Sequence, residues 1–365
     1  MEEMILQDIC KIYDCPHTTA KDEGVGIPLV RTPNVGKGRL VLTNVHRVNS
    51  DVYKKRTLRA IPEEDDIIIA REAPVGNAAI IQKKQKVCLG QRVVLLKPNK
   101  ALVDPNFLVY YLLSNEVQHH LKIHANGAVV AHLNVADIRN LSVCLPSLCE
   151  QKKIGKSLKI IDDKIELNRR INDNLEQQAQ ALFKSWFVDF EPFKDGKFVE
   201  SELGMIPKGC RVGKAEDFYN INIGKTPPRK EQVWFSSNSS DYIWVSISDL
   251  GSCGRFVFTS SEFLTHEAVK RHNIILVPKD TILLSFKLTI GRVRIAGTEL
   301  TTNEAIARFI TSDENREYTY FLLKGYNYEK LGSTSSIATA VNSKIIKAMV
   351  VLMPDKEILK AFSSL

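Results

Sequence analysis

Apolar positions along this chain follow two rhythms. From Ile154 onward, Ile154, Leu158, Ile161, Ile165, Asn168, Asn172, Leu175, Ala179 and Leu182 alternate steps of four and three. That spacing is the seam of a coiled coil over four heptads. A helix lying on a globular core needs a broader apolar stripe than this one. The pattern therefore predicts a long helix from about Leu148 to Trp186, ~57 Å at ~1.5 Å per residue. Asn168 and Asn172 occupy seam positions where apolar side chains would bind more tightly, and buried amides there set register and partner. Such a helix needs a partner.

The second rhythm is a repeat. Asp65 to Gly76 reads DDIIIAREAPVG, and Asp280 to Gly291 reads DTILLSFKLTIG, displaced by 215 positions. The match continues with small drifts. Gly90-Gln91 lines up with Asn303-Glu304, Tyr110 to Leu113 with Tyr320 to Leu323, and Asn134 to Pro146 with Asn342 to Pro354. A period this long means two copies of one domain rather than a solenoid.

Short β-branched runs bounded by turn residues predict strands at Leu29 to Val35, Ile67 to Ala70, Ala78 to Ile81, Val93 to Leu96 and Leu141 to Leu145. Phe107 to Ile123 has helical spacing, with Asp104-Pro105 as its start signal. The second copy gives the same order: Ile243 to Ile247, Thr281 to Ser285, Arg292 to Ala296, Ile306 to Ile310, a helix over Glu317 to Tyr326, and Met349 to Met353. The fold class is α+β, two pseudo-repeated mixed α/β domains joined by a long coiled-coil-type helix. The divisions fall at 1–147, 148–187 (the helix), 188–209 (a linker docking through Trp186, Phe187, Phe190 and Phe193), 210–354 and 355–365.

Composition adds direction. The chain has 365 residues, 50 of them Lys or Arg against 42 Asp or Glu, a net +8 compatible with a nucleic-acid partner. Seven cysteines without paired spacing argue for reduced thiols in a cytoplasmic protein and against a zinc site. No segment has the ~18 apolar residues of a membrane span. A Walker-type phosphate loop is absent, and Thr226-Pro227-Pro228-Arg229 fails the tetrad of an adenine methylase. Asp189, Glu191 and Lys194 lack the strand context of a nuclease centre, and the eight histidines are scattered. No catalytic or metal-binding constellation emerges.

The central segment carries a resemblance. Pro146, Glu150 to Ile154, Leu158, Asp162 to Asn168, Asn172, Leu175 and above all Ala181 to Pro192 (ALFKSWFVDFEP) resemble the spacer of type I restriction–modification specificity subunits. Leu203 to Gly209 and Gly224 to Pro227 resemble the entry to the second target-recognition domain of that family, although Cys210 stands where Trp is more usual. The resemblance implies a non-catalytic subunit in which two target-recognition domains each read one half of an interrupted site on double-stranded DNA. It implies two methylation subunits gripping the helical spacer and restriction (motor) subunits joining them. It also implies no intrinsic cofactor, with S-adenosylmethionine, ATP and magnesium used by the partners. The family has a second long helix after its last strand, whereas here eleven residues follow Pro354. The expectation is a truncated second spacer helix over 355–365, completed by another chain such as a second specificity chain.

Base contact is expected from side chains that match purine edges or grip phosphate. In the first copy these are Arg31, Thr32, Asn34, Lys37, Arg39, Arg71, Gln91 and Arg92. In the second they are Lys225, Arg229 and Lys230 in a Pro-rich loop, Ser246 and Ser248 beside Asp249, then Lys287, Arg292 and Asn303 beside Glu304. The loops at Asn126-Gly127 and Ser335-Ser336 are further candidates for approach to the backbone. At ~57 Å against ~34 Å per DNA turn, the helix implies half-sites separated by unread bases. Two other classes compete: an adaptor that keeps the helix but no longer reads DNA, and a methylase or nuclease in its own right.

Overall fold

The computed structural model describes residues 2–125, 131–331 and 341–364. The chain divides into two compact units, Met1–Asn172 and Asp173–Leu365, so the division falls within the long helix.

In the first unit a five-stranded sheet runs in the order Cys10–Asp14, Val93–Pro98, Ile67–Ala70, Ala78–Ile80, Gly38–Arg39. All its pairings are antiparallel except the last. Ile67 and Ile69 face the helix that carries Phe107, Leu108 and Leu112. Ile68 and Ala70 face a second layer containing Val30 and Leu89, strands of a small three-stranded sheet. Because both faces are covered, the central strand is apolar throughout instead of alternating.

The second unit repeats this plan: Asn220–Ile223, Ile306–Ile310, Ile282–Ser285, Val293–Ala296, Phe256–Val257. The register is kept, with Ile67 opposite Leu96 and Ile80, and Ile282 opposite Phe309 and Ile295. Repeated residues have backbone causes. Asp65 (φ 72°) and Asp280 (φ 68°) both take the left-handed conformation just before the central strand, which Asp tolerates better than most residues. Gly76 (φ 80°) and Gly291 (φ 88°) do the same after the following turn. Asn342 caps Ser343–Lys347 by accepting from the Ile345 amide at 3.1 Å, and Asn134 stands at the same place before Val135–Arg139.

Several elements differ from the expectation. The strand at Leu29 ends at Val30, since Pro33 sits in a 3-10 turn over Thr32–Asn34. Phe107 to Ile123 is two helices, Pro105–Leu112 and Asn115–Ile123, because Ser114 leaves helical geometry and caps the Val117 amide. The strand from Ile243 stops at Val245, since Ser246 caps a short helix, Ile247–Ser252. The linker contains a hairpin, Phe198–Ser201 with Gly204–Pro207.

The long helix spans Leu148–Phe187, 40 residues. Its start is a capping box: the Ser147 hydroxyl accepts from the Glu150 amide while the Glu150 carboxylate accepts from the Ser147 amide at 3.0 Å. Gln151, 1% exposed, ties the first turns to the first unit by accepting from the Asp104 amide and donating to the Leu102 and Pro146 carbonyls. At the other end Phe183 and Phe187 enter the core of the second unit beside Tyr318, Phe321 and Phe362. The ALFKSWFVDFEP run is therefore a docking plug. Asp355 caps a helix over Lys356–Ser363, whose Phe362 packs on Phe183, Trp186 and Phe187. Between its ends the seam is bare: Ile154, Leu158, Ile161, Ile165 and Leu175 are 37–56% exposed, and Asn168 and Asn172 are exposed. Ala179 and Leu182 pack against the core of the second unit.

Candidate nucleic-acid interface

In each unit the central hairpin ends in a turn, and the loop entering the neighbouring strand lies against it. In the second unit these are the turn at 286–291 and the loop at 303–305, joined by the Phe286 amide donating to the Ala305 carbonyl at 3.0 Å. The Pro-rich segment 224–230 lies on the same loop. A Cβ at Gly224 would stand 1.9 Å from the Asn303 carbonyl oxygen, so glycine is required there. Lys225 donates its amide to Thr302 O at 2.9 Å, and the Trp244 indole donates to Lys225 O at 3.2 Å.

Arg229 is held in this segment by stacking and pairing. Its guanidinium lies 4.3 Å from the Phe235 ring centre and 4.4 Å from that of Trp244. It also donates two parallel bonds to the Glu262 carboxylate at 3.0 and 2.9 Å. Thr226 donates to Glu304. Burial pushes the Glu304 carboxyl up, but that hydrogen bond and the neighbouring Lys287 and Arg229 outweigh it and leave the group below its ordinary range. Thr226, Arg229, Lys287, Asn303 and Glu304 thus share one polar surface. Lys230 and Lys287 are exposed beside it, and the Lys225 ammonium donates to His272 O.

The same region of the first unit carries other chemistry. Arg92, exposed, pairs with Glu72 at 2.8 Å. Glu72 also bonds His132 Nδ1 at 2.6 Å, and His132 Nε2 lies 2.6 Å from an Arg71 nitrogen. Arg71 is itself buried, donating to Leu133 O and pairing with Asp14. Gln91 donates to His17 O at 2.7 Å. An open cleft of about 310 Å³ adjoins this network, lined by Asp14, His17, Lys55, Arg56 and Arg59 among others. Arg56 points inward onto three backbone carbonyls, whereas Lys55 and Arg59 are exposed.

Some sequence candidates serve the fold. Asn34 is buried, accepting from the Arg31 amide and donating to Val41 O. The Arg31 side chain lies over Gly90, where a Cβ would come within 2.7 Å of it. Arg39 pairs with Asp163 of the long helix. Arg292 donates to Ile247 O beneath the helix carrying Ser248. Ser246 shares its cap with Asp249. Thr32 is half-buried, and Lys37 and Ser248 are exposed. Sequence reasoning missed the Phe235, Trp244 and Glu262 cradle of Arg229, as well as Thr226, Glu72 and His132. The repeat alignment, which sets Glu72 opposite Lys287, was the available signal. The Asn126-Gly127 and Ser335-Ser336 loops lie outside the described residues. Among the described residues no group of three or more His, Cys, Asp or Glu side chains could hold a metal ion, and no helix is long and apolar enough to cross a membrane.

The comparisons agree with one another. The model of the type I restriction modification DNA specificity domain matches residues 1–177 and 207–365. The MjaIX specificity subunit of Methanocaldococcus jannaschii is 28% identical over 329 residues, covering 87% of this chain and 73% of its own length. The HindI specificity subunit of Haemophilus influenzae is 26% identical over 335 residues, covering 74% and 72%. The crystal structure of the type I restriction–modification S subunit from M. genitalium shares the fold, with a TM-score of 0.53 at 13% identity over 100% of this chain and 87% of that one. With matches to the DNA specificity domain on both sides of the linker, this chain belongs to the specificity subunits of type I restriction–modification systems.

Proposed function

We propose that the two units read the two halves of an interrupted, asymmetric DNA site, without catalysis by this chain. The observation that carries this is chemical difference on a shared frame. Equivalent turns present Glu72 and Arg92 in one unit and Lys287 and Glu304 in the other, and different donor sets match different base edges. Lys37, Arg92, Lys225, Lys230, Lys287 and Asn303, with Gln91 and Ser248, are the side chains assigned to DNA, and Arg229 braces the loop that carries Lys225 and Lys230. Arg31, Thr32, Asn34, Arg39, Arg71, Ser246 and Arg292 hold the turns and strands that present them.

The bare seam from Ile154 to Leu175 supports a second part of the proposal. Apolar side chains repeated every 3.5 residues gain most when another helix covers them. The occupants are helices of two methylation subunits or of another specificity chain, with restriction subunits joining the assembly in the cytoplasm. Those partners consume S-adenosylmethionine and ATP and use magnesium as a cofactor. A helix of ~60 Å suits half-sites more than one DNA turn apart.

Single-molecule methylome sequencing tests this in cells co-expressing the chain with its methylation subunit. Methyladenine at one interrupted asymmetric motif, absent without this chain, is the expected result. A soluble co-purifying complex that methylates no motif would favour the adaptor instead.

A further inference from the structure

Leu288, at the tip of the turn joining Ile282–Ser285 to Val293–Ala296, is 100% exposed. Single exposed leucines are common on protein surfaces, but this one has two further properties. Its φ is +59°, a left-handed conformation that a residue with a Cβ disfavours and that glycine would adopt freely. The surrounding turn is also tied down. Ser285 Oγ donates to Thr289 O at 2.6 Å and accepts from the Arg292 amide at 3.1 Å. The Thr289 amide donates to Lys287 O at 2.6 Å, and the Gly291 amide to Ser285 O at 3.0 Å. An apolar side chain is thus held out in water on a braced support, with the partly exposed Ile290 behind it.

The chemistry beside it indicates the partner. Lys287 precedes Leu288, and together with Arg229 it acts on Glu304 across the polar surface described above. A cation next to a projecting aliphatic group suits a phosphate next to a base stack, the arrangement by which apolar wedges unstack base steps and kink DNA. The equivalent positions of the first unit, Ala73 and Pro74, are exposed but short.

We propose that Leu288 is a wedge entering a base step of the half-site read by the second unit, and that the half-site of the first unit is not wedged. This rests on the DNA-reading proposal. The experiment uses the full chain in complex with its methylation subunits and duplexes of the motif found by methylome sequencing, with 2-aminopurine placed at each step in turn. Apart from the target adenines, which methylation subunits flip out of the stack in either half-site, wild type raises fluorescence at one further step, in the second half-site only. Leu288→Ala abolishes the rise and weakens binding about tenfold, Leu288→Met keeps both, and Lys287→Ala weakens binding but keeps the rise at saturation.

Specific binding by the wild type with no fluorescence rise beyond the flipped target adenines overturns the wedge and leaves DNA reading intact. Unchanged DNA behaviour of Leu288→Ala with loss of the methylation subunit would make Leu288 a protein contact and also overturn it. Absence of specific binding by the wild-type complex defeats both proposals.

Discussion

The Tyr320 hydroxyl donates to the Glu176 carboxylate across 2.9 Å, tying the second unit to its segment of the long helix. The counterpart in the repeat does likewise in the first unit, where Tyr110 donates to Asp162 at 2.9 Å. Each tyrosine has an arginine beside it. Arg255 lies 4.4 Å from the Tyr320 ring centre and 3.8 Å from Glu176, and Arg39 pairs with Asp163 next to Asp162. Both units therefore grip the helix with a tyrosine and an arginine on acidic side chains, which gives Tyr110 and Tyr320 a physical reason to recur.

The Glu176 grip is pH-dependent in a defined direction. Burial pushes its carboxyl up, but bonds from Lys324 and Tyr320 and the charge of Arg255 outweigh that and leave it below its ordinary value of 4.5. A carboxyl lowered by folding contributes stability that is complete above its unfolded pKa and is lost as pH falls through the folded one. Glu176→Gln should cost about 1–3 kcal/mol at pH 7 and progressively less in acid. Urea titrations at pH 7 and at pH 3.5 measure the gap, and an unchanged gap would assign the loss to packing.

Phe187 should be the costliest of the plug residues to truncate. It is 6% exposed, with its ring centre 4.8 Å from that of Tyr318 and 5.0 Å from that of Phe362. Phe187→Ala should lower stability by about 3–5 kcal/mol. Val188→Ala, at a position 58% exposed, should stay within about 0.5 kcal/mol. Thermal unfolding of the two variants beside wild type checks the contrast.

Ile161 separates folding from assembly. It is 56% exposed on the seam, so Ile161→Glu should leave the isolated chain within about 0.5 kcal/mol of wild type. The same charge placed inside a helical interface should abolish co-purification of the methylation subunits. Retained co-purification would remove the seam from the assembly proposal.

Lys287 and Arg229 should respond differently to salt. Lys287 is exposed, so Lys287→Ala should flatten the dependence of log affinity on log salt by about 0.9. Arg229 is already matched to Glu262 and held against two rings that meet edge to face. Arg229→Lys should instead disturb the loop, because a single ammonium reproduces neither the fork nor the stacking. Its effect should be a uniform loss of DNA affinity at an unchanged salt slope, read from filter binding across a salt series.

Much of the fold was legible because local rules and tertiary needs coincide. The aliphatic runs at Ile67 and Ile282, the Asp and Gly that bracket them, and the heptads from Ile154 each demand one backbone arrangement regardless of distant residues. Helix ends were less legible. The break at Leu113-Ser114 interrupts apolar spacing that reads as continuous, and a serine decides it by capping.

The candidate site was legible as a region but not as a set of contacts. Charge and repeat position marked the turns at Arg71, Gln91, Lys287 and Asn303. They could not show that Arg71 is spent on Asp14 and Leu133 O, that Arg39 serves the long helix, or that Arg229 lies against Phe235 and Trp244. By itself the sequence determined a duplicated α+β domain, a long heptad helix and the family, since periodicity and motif spacing are local properties of the chain. Only the tertiary structure decided which cations stay available and that Leu288 projects from a braced turn. A side chain's partners are set by residues up to about a hundred and fifty positions away, as with Tyr320 and Glu176, and proximity of that kind leaves no local mark in the sequence.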